Sequence, residues 1–247
     1  MKIFHGFDDL PHFGNAVVTV GSYDGVHAGH RTLLRQAEGL ARASEGEIVV
    51  VTFAPHPREV LSGGADKMRL LTPLGEKAAL LERAGVQNLV VAPFTVELSR
   101  LSAREFVERY LLGHIGMRTL VTGYNHHLGR AKDGDPASLA RMAEELGFRI
   151  CTMPRHDVNG AEKVSSTVIR NMIGRGEVAA AAEYLGYRYF LTGRAENDGR
   201  FLPDDRAKFL PPPGVYPVEG GTFTISPDGA LWIEPLVTEG EIIVIFI

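Results

Sequence analysis

The chain of 247 residues has little cysteine, little tryptophan and no long apolar run. Its one cysteine, Cys151, can form no disulfide within the chain, and its being alone excludes a cysteine-rich metal site. The longest apolar run, "IIVIFI" at the C-terminus, is far too short to span a bilayer. The opening "MKIFHGFDDLPHFGN" lacks a basic region followed by an apolar stretch, so we expect no signal peptide. These absences predict a cytoplasmic protein that contacts no membrane.

Neither positive nor negative charge predominates in the chain. Lys and Arg number 26 against 30 Asp and Glu, which leaves a net charge of -4, and no run of like charge occurs. A nucleic-acid partner held by bulk electrostatics is therefore not expected. A small anionic substrate remains compatible with this balance, because a single pocket can be basic on an acidic protein.

Short β-type apolar runs alternate with helical patterns through the first 153 residues. The nearly continuous apolar run "EIVVVTF" is typical of a parallel strand that is covered on both faces. Five such strands are predicted: "AVVTVGS", "EIVVVTF", "NLVVAPF", "RTLVTGY" and "FRICTMP". The alternation predicts an α/β fold with a Rossmann-like, doubly wound, parallel five-stranded sheet. In such sheets ligands bind beyond the carboxyl ends of the strands.

The character of the sequence changes near Tyr187. Before it, Ser165 or Ser166 can cap a helix that runs to about Ile173, and a second short helix follows Gly176. After it, β-type runs are divided by turns such as "PPPG", "EGG" and "SPDG". We therefore predict a first domain over 1–186 and a small β-barrel-like domain over 187–247. Residues 201–209 are expected to form a loop whose "DDRAK" charges are solvated.

The segment "GSYDGVHAGH" joins a predicted strand to a predicted helix. A glycine turn at this place directs backbone N–H groups and the helix N-terminus toward the same crevice, which favours an anion. His27 and His30 are three residues apart, on one face of the helix start. Gly29 between them allows a ligand to approach the backbone. Imidazole donors so placed can stabilise negative charge that builds on phosphate oxygens.

A second anion-type element is "VSSTVIR". Ser165, Ser166 and Thr167 present hydroxyls and N–H groups at a helix N-terminus, and Arg170 can turn back onto a phosphate. Both elements are expected at the same edge of the sheet, so together they favour a phosphate-bearing ligand over two capped surface helices.

These motifs resemble the nucleotidylyltransferase superfamily, in which HxGH follows the first strand of the sheet. Six ordered blocks narrow the resemblance to the prokaryotic bifunctional riboflavin kinase/FAD synthetase family, over about residues 14–193. The blocks are "GSYDGVHAGH", "VVTFAPHPREVL", "LLTPLGEKAALLERAGV", "PFTVELSRLSAREFV", "GYNHHLGRAKDGD" and "VSSTVIRNMIGRGEVAAAAEYLGYRYFLTG". The resemblance implies adenylyl transfer from ATP to FMN, which gives FAD and pyrophosphate, with Mg²⁺ held largely by the phosphates.

Carried over position by position, the resemblance implies three groups of site residues. The catalytic group is His27, His30 and Arg170. The ATP-binding group is Gly21, Tyr23, Asp24, Gly29, Asn125, Ser165, Ser166 and Thr167. The group near the flavin or its phosphate is His56, Arg58, His126 and Leu128. The substrates would be small molecules, ATP and FMN, with no nucleic acid and no protein ligand set for a metal.

The segment "GYNHHLG" departs from the family pattern, which has aromatic residues where this chain has His126 and Leu128. A nucleotidylyltransferase for a different phosphorylated acceptor is therefore an open alternative. A metal site built from His126, His127, Asp133 and Asp135 is disfavoured, because adjacent residues point apart on a strand.

The C-terminal region departs further. The family's kinase domain contains "GFPTAN", which is missing here, and about half of the usual length is absent. We therefore expect a remnant of the kinase domain without riboflavin kinase activity, serving as a structural element, a lid or a docking surface. A catalytically silent flavin- or nucleotide-binding paralogue is the remaining alternative, and the sequence leaves the oligomeric state open.

Overall fold

A computed structural model describes residues 1–63, 68–124, 128–130, 133–154, 157–158, 162–235 and 239–247. The chain divides into two compact units. The first, called the sheet unit, consists of Met1–Tyr23, His30–Met68 and Ala78–His156. The second unit consists of Asp24–Gly29, Arg69–Lys77 and Asp157–Ile247. The predicted domain boundary near residue 187 stays a prediction.

The sheet unit contains a parallel sheet of six strands in the order β1-β4-β3-β2-β5-β6. The strands are β1 Lys2–His5, β2 Val17–Val20, β3 Ile48–Ala54, β4 Asn88–Pro93, β5 Thr119–Gly123 and β6 Arg149–Met153. From β2 the chain adds β3 and β4 on one side and later β5 and β6 on the other. The doubly wound parallel fold is therefore confirmed. The order reverses beside β2, and ligands bind beyond the carboxyl ends of the strands at such a point.

The predicted number of five strands was one too few. The additional strand, Lys2–His5, pairs with β4 at the edge of the sheet. Three of its four residues are exposed, so it lacks the apolar run that marks the central strands.

The helices of the chain begin at recognisable capping residues in several cases. Ser102 and Glu105 form a reciprocal capping box at α5, and Asp135 caps α6 by accepting the N–H of Ser138 at 2.8 Å. The helices are α1 Ala28–Ala43, α2 Pro57–Leu61, α3 Leu74–Arg83, α4 Val96–Ser99, α5 Ala103–Phe106, a π-helix Val107–His114, α6 Pro136–Leu146, α7 Ser166–Gly174 and α8 Val178–Leu185.

The core of the sheet unit is formed by the central strands and the helices that cover them. All four residues of β2 are buried, as are the first five of β3. Phe106, Leu111 and Leu139 pack into the same cluster from the helices. Burial of apolar surface at about 25 cal/mol per Å² is the main stabilising term for such a core.

The second unit is predominantly β in its last sixty residues, as predicted. The strands β9 Phe190–Ala195, β10 Phe201–Pro203 and β14 Gly240–Ile245 form one antiparallel sheet in the order β10-β9-β14. The strands β11 Gly214–Val218, β12 Gly221–Ile225 and β13 Leu231–Glu234 form another. A short hairpin, β7 Asp157–Val158 and β8 Glu162–Lys163, precedes α7.

The expectation of a solvated loop over residues 201–209 was wrong at both ends. Phe201 begins β10 and is buried, and Lys208 is buried together with Glu76. Lys208 pairs with this distant carboxylate although Asp204 and Asp205 stand close to it in the sequence. Its partner lies 132 residues away.

None of the helices in the described part of the chain combines the length and the apolar character that a membrane span requires.

Candidate active site

The carboxyl end of β2 leads into a tight turn of the sheet unit. Gly21 continues the sheet, since its N–H donates to the carbonyl of Val51 at 2.9 Å. Tyr23 is buried, and its hydroxyl shares a 2.6 Å hydrogen bond with Thr19. A side chain at position 21 would lie 3.2 Å from the Tyr23 ring, which explains the glycine there. Burial raises the pKa of the Tyr23 hydroxyl, so it stays protonated.

The Tyr23 ring contacts His30, with ring centroids 4.9 Å apart and an angle of 52° between the planes. Tyr23 was predicted at the nucleotide. That placement stays a prediction. In the structure the buried ring packs beside the imidazole of His30, which lies in the first turn of α1.

His27 and Gly29 lie together in the second unit. His27 is 7% exposed and directly precedes α1. A Cβ at Gly29 would lie 3.3 Å from both Nδ1 and Cε1 of His27, which is tighter than an ordinary contact. The glycine therefore allows the imidazole to pack over the backbone of the helix start.

Asp24 and Arg170 form an ion pair in the second unit, between Oδ2 and Nη2. Their side chains are 1% and 14% exposed. The Asp24 carboxylate also accepts the N–H of Thr72 at 3.2 Å. Burial raises the pKa of Asp24, while Arg170, Thr72 and Lys77 oppose that rise. The Arg170 Nε lies 3.4 Å from the carbonyl of Arg69, so two contacts fix the plane of a guanidinium that has five N–H donors.

The start of α7 is joined to the same turn. The Ser165 hydroxyl caps the helix by accepting the N–H of Val168 at 3.3 Å. The Ser166 hydroxyl donates to the carbonyl of Asp24 at 2.8 Å, and Thr167 is exposed. The helix N-terminus, with its partial positive charge, is thereby held against the backbone of Asp24.

Two residues of this arrangement were not expected as site residues. The hydroxyl of Thr72 accepts the N–H of Gly25 at 2.8 Å. Lys77 is buried, and burial lowers the pKa of its ammonium to about 8, opposed by Asp24. Gly25 itself has φ +85°, and a side chain there would meet Leu71 at 2.9 Å. The sequence offers no local signal for these contacts, because each joins segments more than forty residues apart.

His56 and Arg58 lie at the start of α2 in the sheet unit. The Nδ1 of His56 accepts the N–H of Arg58 at 3.2 Å, which places the proton of the neutral imidazole on Nε2. Arg58 is exposed. The Arg58 guanidinium is therefore accessible to an anionic ligand.

A cavity of about 350 Å³ lies within the sheet unit. Phe53, Phe94 and Phe106 form aromatic walls, with the rings of Phe53 and Phe94 edge to face at 5.3 Å. Leu128 lines the cavity and is buried. The other lining residues are Leu61, Leu98, Ser99, Leu101, Gly129 and Arg130. Its size and apolar character are those of a small-molecule pocket.

The backbone around Leu128 is held by the start of α5. Leu128 donates its N–H to Gly134 at 3.2 Å, and Arg130 donates to Leu101 at 3.0 Å. Asp133 accepts the N–H of Ala103 at 3.2 Å. Asp133 therefore orders this loop, and Asp135 caps α6. The predicted site residues Asn125 and His126 lie outside the described residues, as does His127.

In the part of the chain that the structure describes, no three His, Cys, Asp or Glu side chains are grouped so that they would hold a metal ion. A doubly wound parallel sheet is an architecture typical of nucleotide-binding proteins.

Comparison with known proteins gives the family. A sequence model described as FAD synthetase matches residues 10–168. The bifunctional riboflavin kinase/FMN adenylyltransferase of Listeria monocytogenes is 33% identical over 83% of this chain and 68% of its own length. A FAD synthetase of the same organism is 31% identical over 85% of this chain and 84% of its own length. The corresponding bifunctional protein of Bacillus subtilis is 30% identical over 83% of this chain and 67% of its own length. The chain belongs to the FAD synthetase family.

A solved structure described as a macrolide-efflux protein from Streptococcus pneumoniae superposes with a TM-score of 0.84. The superposition covers 100% of this chain and 90% of the other chain, and the two sequences are 23% identical. At this identity the likeness concerns the fold alone.

Proposed function

We propose that the protein is an FMN adenylyltransferase that transfers AMP from ATP to FMN and releases pyrophosphate. The observation that supports FMN as acceptor is the aromatic cavity of the sheet unit. Leu128, which replaces an aromatic residue of the resembled family, keeps this cavity apolar. A flat, apolar ring system fits such walls better than a small polar metabolite does, because stacking on aromatic side chains is favourable.

The reaction is an in-line displacement that needs no nucleophilic side chain. A phosphate oxygen of FMN attacks the α-phosphorus of ATP and forms the new P–O bond. The bond from that phosphorus to the bridging oxygen breaks, and the electron pair leaves with pyrophosphate. The protein contributes alignment of the two substrates and stabilisation of the negative charge that develops.

Each residue of the site has a role in this scheme. His27 and His30 donate to phosphate oxygens of the transition state, and Arg170 stabilises charge on the leaving pyrophosphate. Asp24 and Tyr23 act indirectly, by orienting Arg170 and His30.

The remaining predicted groups serve binding. Gly21 and Gly29 allow close packing at the turn, while Ser165, Ser166 and Thr167 place a helix N-terminus toward the phosphates. His56 and Arg58 serve the flavin phosphate. Mg²⁺ enters as part of the MgATP substrate, because it is bound mainly through phosphates and water.

We also propose that the protein lacks riboflavin kinase activity. The kinase segment "GFPTAN" is absent from the sequence. In the resembled family this segment binds the ATP and Mg²⁺ of the kinase reaction, so its absence supports a single activity.

The test is to supply purified protein with MgATP and either FMN or riboflavin, and to follow FAD, FMN and pyrophosphate by chromatography. FAD from FMN and no FMN from riboflavin is the expected result. FMN formed from riboflavin would refute the loss of kinase activity. Pyrophosphate release only with another phosphorylated acceptor would refute FMN as substrate, and ligand binding without any turnover would identify a silent paralogue.

A further inference from the structure

The predicted kinase remnant contributes a short segment, 206–209, that pairs with residues 69–71 inside the second unit. The N–H of Leu70 donates to the carbonyl of Ala207 at 2.6 Å. The N–H of Phe209 donates to the carbonyl of Leu70 at 2.7 Å. Leu70 and Lys208 thereby form a parallel bridge. The backbone of residues 69–71 is therefore held by a segment more than 130 residues later in the chain.

Lys208 adds a side-chain contact to the same place. Its ammonium donates to the carbonyl of Leu71 at 2.7 Å and to Oε2 of Glu76 at 2.5 Å. Oε1 of Glu76 accepts the N–H of Thr192 at 3.2 Å, and the ammonium lies 4.2 Å from the ring centre of Tyr189. Both charged side chains are buried, so they depend on these partners. A buried ammonium that loses its partners is unfavourable, and the position of Leu71 is therefore narrowly defined.

Arg69 and Thr72, which lie on either side of Leu70 and Leu71, contact the residues to which ATP binding is assigned. The carbonyl of Arg69 accepts from Arg170. Thr72 donates its N–H to Asp24, and its hydroxyl accepts the N–H of Gly25. One stretch of eight residues, 69–76, thus contacts Lys208 on one side and the Asp24–Arg170 pair on the other.

We propose that Lys208 is a positioning residue for the nucleotide-binding groups: by fixing Leu71 and Glu76 it places Thr72, and through it the Asp24–Arg170 pair. The C-terminal region that resembles a reduced kinase domain therefore contributes to adenylyl transfer through this segment. This inference rests on the proposed function only in assigning ATP to the groups around Asp24. It makes the C-terminal region a part of the nucleotide site rather than an inactive appendage.

The experiment uses the full chain and four proteins: wild type, K208M, the double variant E76Q/K208M, and R206A as a matched control. Arg206 lies in the same segment, but its side chain is exposed. The double variant removes both buried charges and retains an acceptor for Thr192, and replacing a whole buried pair is often nearly neutral for stability. Binding of Mg²⁺-α,β-methylene-ATP is measured by calorimetry, and binding of FMN by quenching of its fluorescence.

We expect K208M and E76Q/K208M to bind the ATP analogue about 10- to 100-fold more weakly, since small displacements of positioning groups have effects of this size. FMN binding should be unchanged, because its proposed cavity is formed within the sheet unit. R206A should match wild type in both measurements.

A folded double variant that binds the ATP analogue as tightly as wild type would overturn the proposal, and so would equal weakening by R206A. Equal loss of ATP and FMN binding would also overturn it, because that is the signature of general unfolding. The readout is separate from turnover. If wild type binds the ATP analogue but makes no FAD, the assignment of FMN fails while the role of Lys208 is still decided by binding.

Discussion

Asp24 and Arg170 are 146 residues apart in the sequence and form a largely buried ion pair in the structure. Asp24 belongs to the turn that carries His27, and Arg170 belongs to the helix that begins with the serine motif. The pair therefore joins the segments "GSYDGVHAGH" and "VSSTVIR", which are far apart in the sequence. Ser166, which donates to the Asp24 carbonyl, adds a second link between them.

Removing the charge of Asp24 should destabilise the protein and weaken ATP binding. Asp24→Asn leaves Arg170 without its buried counter-ion, and breaking a buried pair typically costs about 3 kcal/mol or more in the free energy of unfolding. Urea denaturation measures that loss, and the KM for ATP reports the displaced guanidinium.

The matched control is Glu177→Gln, which breaks the exposed Arg175–Glu177 pair just beyond the end of the same helix. Exposed pairs contribute little, so this variant should resemble wild type. An Asp24→Asn protein with unchanged stability and unchanged KM for ATP would contradict the positioning role of Asp24.

Gly29→Ala should lower activity without destabilising the fold. Alanine is favoured over glycine in a helix by about 1 kcal/mol. The new methyl group would stand 3.3 Å from the His27 ring and displace it. A fall of about 10- to 100-fold in kcat is expected from a small shift of a catalytic group.

Gly39→Ala is the control for that substitution, because Gly39 lies in the same helix and nothing is within 4 Å of a Cβ there. It should raise the melting temperature and leave kcat unchanged. Equal kcat values for both alanine variants would show that the fit of Gly29 to His27 has no catalytic importance.

Placing an amide in the cavity should weaken flavin binding selectively. Leu128→Asn puts a polar group into a buried apolar wall, and an unsatisfied amide is unfavourable by about 1–3 kcal/mol. The dissociation constant for FMN, measured by fluorescence, should rise about tenfold or more, while binding of the ATP analogue stays constant.

Leu61→Asn tests the same cavity at a lining residue that is 66% exposed. The amide is hydrated there, so the change in FMN affinity should be much smaller. If both asparagine variants bind FMN like wild type, the flavin does not occupy this cavity.

The stability of the protein should rise with pH in the alkaline range because of Lys77. Burial lowers the pKa of Lys77 to about 8 in the folded state, below its ordinary value of 10.5. Between pH 8 and pH 10.5 the Lys77 amine is mainly protonated in the unfolded chain and mainly neutral in the folded chain. Raising the pH through this window therefore favours the folded state, by at most about 1.4 kcal/mol per pH unit.

Comparison with Lys77→Met isolates this contribution. The difference in unfolding free energy between wild type and variant, from urea titrations at pH 7.5 to 10.5, should increase in favour of wild type as the pH rises. A difference that is flat across this range would mean that Lys77 keeps its ordinary pKa in the folded protein.

Several features of the fold were predictable because their signals are local. The buried strand Ile48–Ala54 is visible as one apolar run, and the start of α7 as a serine cap. HxGH at the start of α1 is likewise contained in four residues. Strand β1 was missed, since an edge strand that is mostly exposed has no apolar run to reveal it.

The sequence by itself determined the alternating architecture, the β character of the C-terminal region and the two phosphate-type helix starts, because hydrophobic runs and caps act within a few residues. Only the tertiary structure decided which distant groups meet. It paired Asp24 with Arg170, buried Lys208 against Glu76, and placed Leu128 with three phenylalanines in the wall of one cavity. The packing of whole elements decides which partner a buried charge meets. That pairing therefore cannot be predicted from the hydrophobic periodicity of the sequence.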